Sequence, residues 1–164
     1  MNARKISFLA MLVALSVVGR IGFNFIPNVQ PATTIIILAS FIVKPYEAII
    51  IASLSTIVSN LILGNGIWTF WQILIWAIIG LLSGLIGKFH MKIPFIILVI
   101  YAGFCGLLYG FFMSIPSSMT MGIHFWTYYV AGISFDISHA IGNMIFFTIF
   151  YPVFFQMVKK MNLQ

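Results

Sequence analysis

Charge is what this sequence has least of. Only 6% of its 164 residues are Asp, Glu, Lys or Arg, and just two of them are acids, Glu47 and Asp136. An ordinary soluble domain is about a quarter charged. A chain that is 62% hydrophobic has too little polar surface to face water, so the bilayer must be its solvent. Cysteine is nearly absent as well. Cys105 is the only one, which excludes an intrachain disulfide, and its apolar surroundings mark it as a small packing residue. There is no Walker phosphate loop, no HExxH and no serine-centred elbow, and no second intramembrane carboxylate to pair with Asp136. No catalytic residue is therefore assigned. The formal net charge of +6 comes from bases placed singly or in pairs between apolar segments. That is not the stripe or patch that binds nucleic acid, which is excluded as a partner.

What the chain does have is long apolar runs, at residues 6–25, 32–43, 46–63, 67–87, 93–115 and 125–158. They predict an all-α membrane protein, a single domain over residues 1–164 with six transmembrane helices. Six spans place Arg4, Lys5, Lys44, Lys88, Lys92, Lys159 and Lys160 on one side, with Arg20 the only base left over. The positive-inside rule then puts both termini in the cytoplasm. Two lengths fit poorly, since about 20 helical residues are needed to cross ~30 Å of hydrocarbon. The second run is short, which predicts that residues 26–31 fold into the protein to cover the missing depth. The sixth is long, which predicts that residues 125–129 lie along the interface as an aromatic belt and that Pro152 kinks the far end. Residues 116–124 read as a polar loop.

Polar residues concentrate in three places. The connector 25–34 carries Asn28, Gln30, Thr33 and Thr34 among prolines that restrict its backbone. The stretch 59–72 joins two apolar runs through Gly64, Asn65 and Gly66, with Asn60, Trp68, Trp71 and Gln72 beside that turn. Neutral amides and indoles can hydrogen-bond near lipid at lower cost than carboxylates, so these segments suit a small-ligand site at the mouth of a bundle. They equally suit interfacial loops, where tryptophan is enriched. The third place is 135–143, where Asp136, His139 and Asn143 share one helix face. Ionisable residues inside a span face the interior or a wet cavity. Asp136 therefore reads either as a ligand contact or as the partner of Arg20 in a structural ion pair, and His139 as a ligand contact or an interior histidine. Asp136, His139 and His124 have no zinc-type spacing, and no metal site is expected. On the first span, Ala10 and Ala14 are four residues apart, a spacing that lets another helix approach closely in lipid. Gly80 with Gly84, and Gly103 with Gly106, are internal counterparts.

Taken together, the short basic N-terminus, the Ala10/Ala14 helix and three segments resemble the substrate-binding (S) components of energy-coupling factor (ECF) vitamin transporters. The segments are Gly19-Arg20 with Pro27-Asn28-Val29-Gln30-Pro31, Ser59-Asn60 with Gly64-Asn65-Gly66-Ile67-Trp68-Thr69 and Gln72, and Asp136 with His139-Ala140 and Gly142-Asn143. They look closest to the cobalamin-uptake branch. The resemblance implies a multi-pass prokaryotic cell-membrane protein, not an enzyme, that binds a vitamin with high affinity. Asn28, Gln30, Asn60, Trp68, Trp71, Gln72, Asp136, His139 and Asn143 become its candidate substrate contacts. It further implies docking through Ala10 and Ala14 onto a membrane coupling protein that carries two ATPase subunits. No cofactor is implied, because the vitamin is the substrate. Riboflavin and pantothenate are alternative substrates. A membrane-embedded enzyme using Asp136 and His139, and a stand-alone channel, are the readings outside this family.

Overall fold

Prolines and bases mark three of the helix breaks, at 23–31, 41–44 and 88–94, and glycine-bearing turns mark the other two, at 64–67 and 122–124. The computed structural model describes residues 3–160, so the outermost residues of the expected 1–164 domain, and with them both chain termini, lie outside the described residues. Six α-helices follow one another: α1 (Ala3–Gly22), α2 (Ala32–Ser40), α3 (Pro45–Leu63), α4 (Trp68–Gly87), α5 (Phe95–Met121) and α6 (Phe125–Lys160), with a 3-10 turn at His90–Lys92. No strand occurs among the described residues.

Local chemistry explains the ends. Pro45 opens α3 with its φ already helical, and the Lys44 backbone N–H donates to Glu47 Oε2 at 2.8 Å. Gly64 (φ 111°) and Gly122 (φ 65°) terminate α3 and α5 in conformations that a side chain disfavours. Glu47 is fully buried, and its other oxygen pairs with Lys5 Nζ at 2.8 Å. This ion pair ties the start of α1 to the start of α3, and nothing in the spacing of the sequence announced it.

The organising element is the shortest. All nine residues of α2 are buried, and it packs against α1, α3, α4, α5 and α6. Around it, α1 packs on α3, α3 on α4, α4 on α5, and α5 on α6. Among the described residues, five helices are long and apolar enough to cross a membrane. At 1.5 Å per residue α2 covers only about 14 Å, so it is a buried half-length helix, and the irregular segment 23–31 precedes it.

One boundary differs from expectation. Residues 116–121 are not a loop: α5 runs through Pro116 to Met121, and the connector is only 122–124. Serine and threonine there bond back into the helix instead of leaving it. Thr120 Oγ1 donates to the Pro116 carbonyl at 2.8 Å, Ser117 Oγ to that of Met113 at 2.8 Å, and Ser118 Oγ to that of Ile115 at 2.9 Å. Residues 125–129 form the first turns of α6, which starts at Phe125 as the apolar run does. Their rings pack onto α5, with Phe111 edge-on to both Phe125 and Tyr129. At 36 residues α6 is about 54 Å long, well beyond a bilayer core, and it continues through Pro152.

The glycines expected to pack internally do so. A Cβ on Gly80 would lie 3.3 Å from Ala48 Cβ, and one on Gly84 3.3 Å from the Ser40 carbonyl. On Gly106 it would come within 2.8 Å of the Ala140 backbone nitrogen. A backbone cannot swing aside, so Gly106→Val is expected to cost about 3 kcal/mol by forcing α5 and α6 apart. Gly22→Ala, where a Cβ meets nothing within 4 Å, is expected to be silent. Thermal unfolding of the two purified variants in detergent checks the contrast; equal midpoints would refute it.

Candidate ligand-binding site

The last turn of α1 aims Arg20 inward, where it is only 6% exposed. Its guanidinium lies 5.0 Å from the centre of the Trp76 ring and donates to three neutral acceptors. Nε reaches Gln30 Oε1 at 3.1 Å; Nη1 reaches Asn60 Oδ1 at 3.0 Å and also Ser59 Oγ. Asn60 passes the network on, donating through Nδ2 to Thr69 Oγ1 at 2.9 Å and to Gln72 Oε1 at 2.7 Å. Gln72 Nε2 then donates to the Tyr109 hydroxyl at 3.0 Å. One chain of hydrogen bonds thus joins the 23–31 connector, α1, α3, α4 and α5. Asn60 and Gln72 each use both ends of their amides in it.

Beneath this network lies an aromatic floor. Tyr109 stacks on Trp76 at 5.1 Å and meets His139 edge-on at 5.1 Å. Trp76 Nε1 donates to Thr33 Oγ1 at 2.9 Å, and the Thr33 hydroxyl lies 3.0 Å from His139 Nε2.

Two cavities open above the floor. The first, about 320 Å³, is lined by Arg20, Asn28, Gln30, Asn60, Trp68 and Gln72 among others. The second, about 410 Å³, lies between α5 and α6 and is lined by Ser114, Ser117, Tyr128 and Asp136 among others. Asn28 and Tyr109 line both. Asn28 takes a left-handed φ of 59° and donates to the Phe135 carbonyl at 2.8 Å, fastening the connector to α6 between the cavities.

Of the nine residues expected at a ligand, Asn28, Gln30, Asn60, Trp68 and Gln72 line the first cavity, and Asn28 and Asp136 the second. Trp71, His139 and Asn143 line neither. Trp71 packs against the apolar core. His139 and Asn143 are wholly buried; Asn143 Nδ2 donates to the Ala102 carbonyl at 3.3 Å, and its own carbonyl accepts from Thr34 Oγ1 at 3.2 Å. The shared face of Asp136, His139 and Asn143 is the inward face of α6, with two of the three holding α6 to α2 and α5.

The Arg20–Asp136 ion pair does not form. Arg20 is turned toward α3 and α4, whereas Asp136 packs onto Gly110 of α5, where any Cβ would collide with its carboxyl. His124 does not join Asp136 and His139, and no three metal-ligating side chains come together among the described residues. Sequence reasoning missed Tyr109, which is hidden within an apolar run and lines both cavities. Ala10 and Ala14 are exposed on the outer face of α1 and line a shallow apolar groove with Leu54 and Val58 of α3.

A bundle of apolar helices with two ring-floored cavities at one end is the architecture of a multi-pass membrane protein. A family model for the ECF transporter substrate-specific component matches residues 4–163, nearly the whole chain. The protein belongs to that family and is a transporter subunit, not an enzyme. No significant match was found among curated proteins or solved structures.

Proposed function

We propose that this protein captures a vitamin with high affinity for a prokaryotic ECF-type transporter, and that the vitamin is cobalamin or a related corrinoid. The observation that carries the reading is the pair of adjacent cavities that share Asn28 and Tyr109, with amides, hydroxyls and aromatic rings among their lining residues. A corrinoid is rimmed with carboxamide side chains, each a donor and an acceptor. Asn28, Gln30, Asn60 and Gln72 complement that rim, while Trp68 and Tyr109 cover apolar surface. Asp136 completes the contacts, and Trp71, His139 and Asn143 support them from behind. The connectors at the cavity end, 23–31, 64–67 and 122–124, hold no lysine or arginine, while Lys44, Lys88 and Lys92 lie in the connectors of the other end. This segregation supports two cytoplasmic termini and a site open to the outside. ATP hydrolysis belongs to two ATPase subunits joined to a membrane coupling protein, against which the Ala10/Ala14 face docks.

A second reading, riboflavin, draws support from the rings of Phe23, Trp68 and Tyr109 around the first cavity, which suit a flat heteroaromatic ligand. Visible absorbance after incubation with cobalamin and desalting separates the two. Corrinoid colour near one equivalent per chain, displaced by excess cobalamin, is the expected result. A colourless protein removes the corrinoid, and the search moves to thermal shifts with riboflavin and pantothenate. If no vitamin stabilises the fold, the capture reading fails.

A further inference from the structure

Arg20 is the only charged side chain lining the first cavity, and its charge is unbalanced. The chain has two acidic side chains in all. Glu47 is committed to Lys5, and Asp136 makes no ion pair with Arg20. The three acceptors on the guanidinium are a hydroxyl and two amides, and Nη2 has no hydrogen-bond partner among the described residues. A buried cation held by neutral groups pays most of its desolvation cost without a counter-charge. If Arg20 served only to join α1 to α3, a neutral donor would do so at lower cost. Holding Nε and Nη1 in place while leaving the rest of the fork free is how an anionic oxygen group is received.

The second cavity is the complement. Asp136 is its only charged lining residue, Oδ2 has no hydrogen-bond partner, and the hydroxyls of Ser114, Ser117 and Tyr128 stand nearby. Resting on the vitamin-capture reading, we infer that the substrate is bipolar: a carboxylate or phosphate ester seats on Arg20, and hydrogen-bond donors at its other end enter the Asp136 cavity across Asn28 and Tyr109. Both a phosphodiester-bearing corrinoid and a small carboxylate vitamin meet that description.

The test is a set of matched ligands titrated onto the purified protein by calorimetry: cobalamin against cobinamide, which lacks the phosphodiester, and pantothenate against its neutral alcohol pantothenol. Whichever vitamin binds, the anionic member is expected to bind about 30-fold tighter, the scale of a charge-assisted hydrogen bond. Arg20→Gln is expected to shrink that ratio to within about threefold, Arg20→Lys to restore part of it, and Asp136→Ala to weaken both members of a pair alike. Equal affinity for charged and neutral members in the unsubstituted protein overturns the inference, whether or not Arg20→Gln folds. So does full discrimination by a folded Arg20→Gln variant. Tight binding of riboflavin, which is uncharged, also overturns it while leaving vitamin capture standing. Failure of every vitamin to bind the folded protein removes the capture reading, and the inference falls with it.

Discussion

Ala10→Trp and Ala14→Trp are each expected to reduce vitamin uptake to background while leaving the binding affinity of the purified protein within about twofold. Both alanines are exposed on α1, and between them and α3 runs a groove walled by Val13, Val17, Leu54 and Val58. Inside lipid there is no hydrophobic drive to bring helices together, so association depends on close packing of small residues. An indole on this face holds a partner helix several ångströms away and forfeits those contacts. The ligand site is out of reach, because Arg20 lies six residues beyond Ala14, about 9 Å along the axis, and points inward. Leu12 makes the contrast: it is buried against the core, so Leu12→Trp is expected to lose fold, binding and uptake together. The measurements are labelled-vitamin uptake in cells and ligand titration in detergent. An Ala10→Trp protein that transports normally removes α1 as the docking surface. One that folds but cannot bind ligand shows that this face acts on the site.

Helix positions were legible because the cost of burying charge in lipid leaves little freedom: Lys44 with Pro45, and Lys88 to Lys92, had to lie between spans. Loop chemistry was less legible. Serine and threonine between 114 and 120 suit a loop in water, but in a low-dielectric setting their hydroxyls bond back to the preceding turn, so α5 continues. At the site, the amides found from sequence, Asn60 and Gln72, do meet, because α3 and α4 are joined by a short connector and their neighbouring ends face each other. Partnerships across distant helices were not legible. Arg20 and Asp136 were paired on charge alone, but one sequence fixes no rotation of α1 against α6, and amides took the place of the carboxylate. His139 and Asn143 were placed on the correct face. That this face meets a cavity at Asp136 but α2 at His139 and Asn143 depends on the half-length helix packed in the middle.

Asn60 gives the second large effect, because two substitutions there separate stability from recognition. It is 2% exposed and uses both ends of its amide, accepting from Arg20 Nη1 and donating to Thr69 and Gln72. Asn60→Leu keeps the branched shape and removes all three bonds, leaving Gln72 Oε1 and part of the guanidinium unpaired. Each buried unsatisfied group costs about 1–3 kcal/mol, so a loss of about 3 kcal/mol in stability is expected, with ligand affinity down about 100-fold as Arg20 and Gln72 lose their positions. Asn60→Asp keeps the acceptor for Nη1 and places a carboxylate 3.0 Å away, turning the free cation into an internal ion pair. Its thermal stability is expected to stay within a few degrees of the parent protein, because a flip of the Gln72 amide restores a donor to the new oxygen. Its affinity for an anionic ligand is nevertheless expected to fall at least as far as in Asn60→Leu, since the charge that receives the ligand is already neutralised. Unfolding midpoints and titrations on the same preparations decide it. A stable Asn60→Asp protein that binds at parental affinity would show that the ligand makes no use of the Arg20 charge.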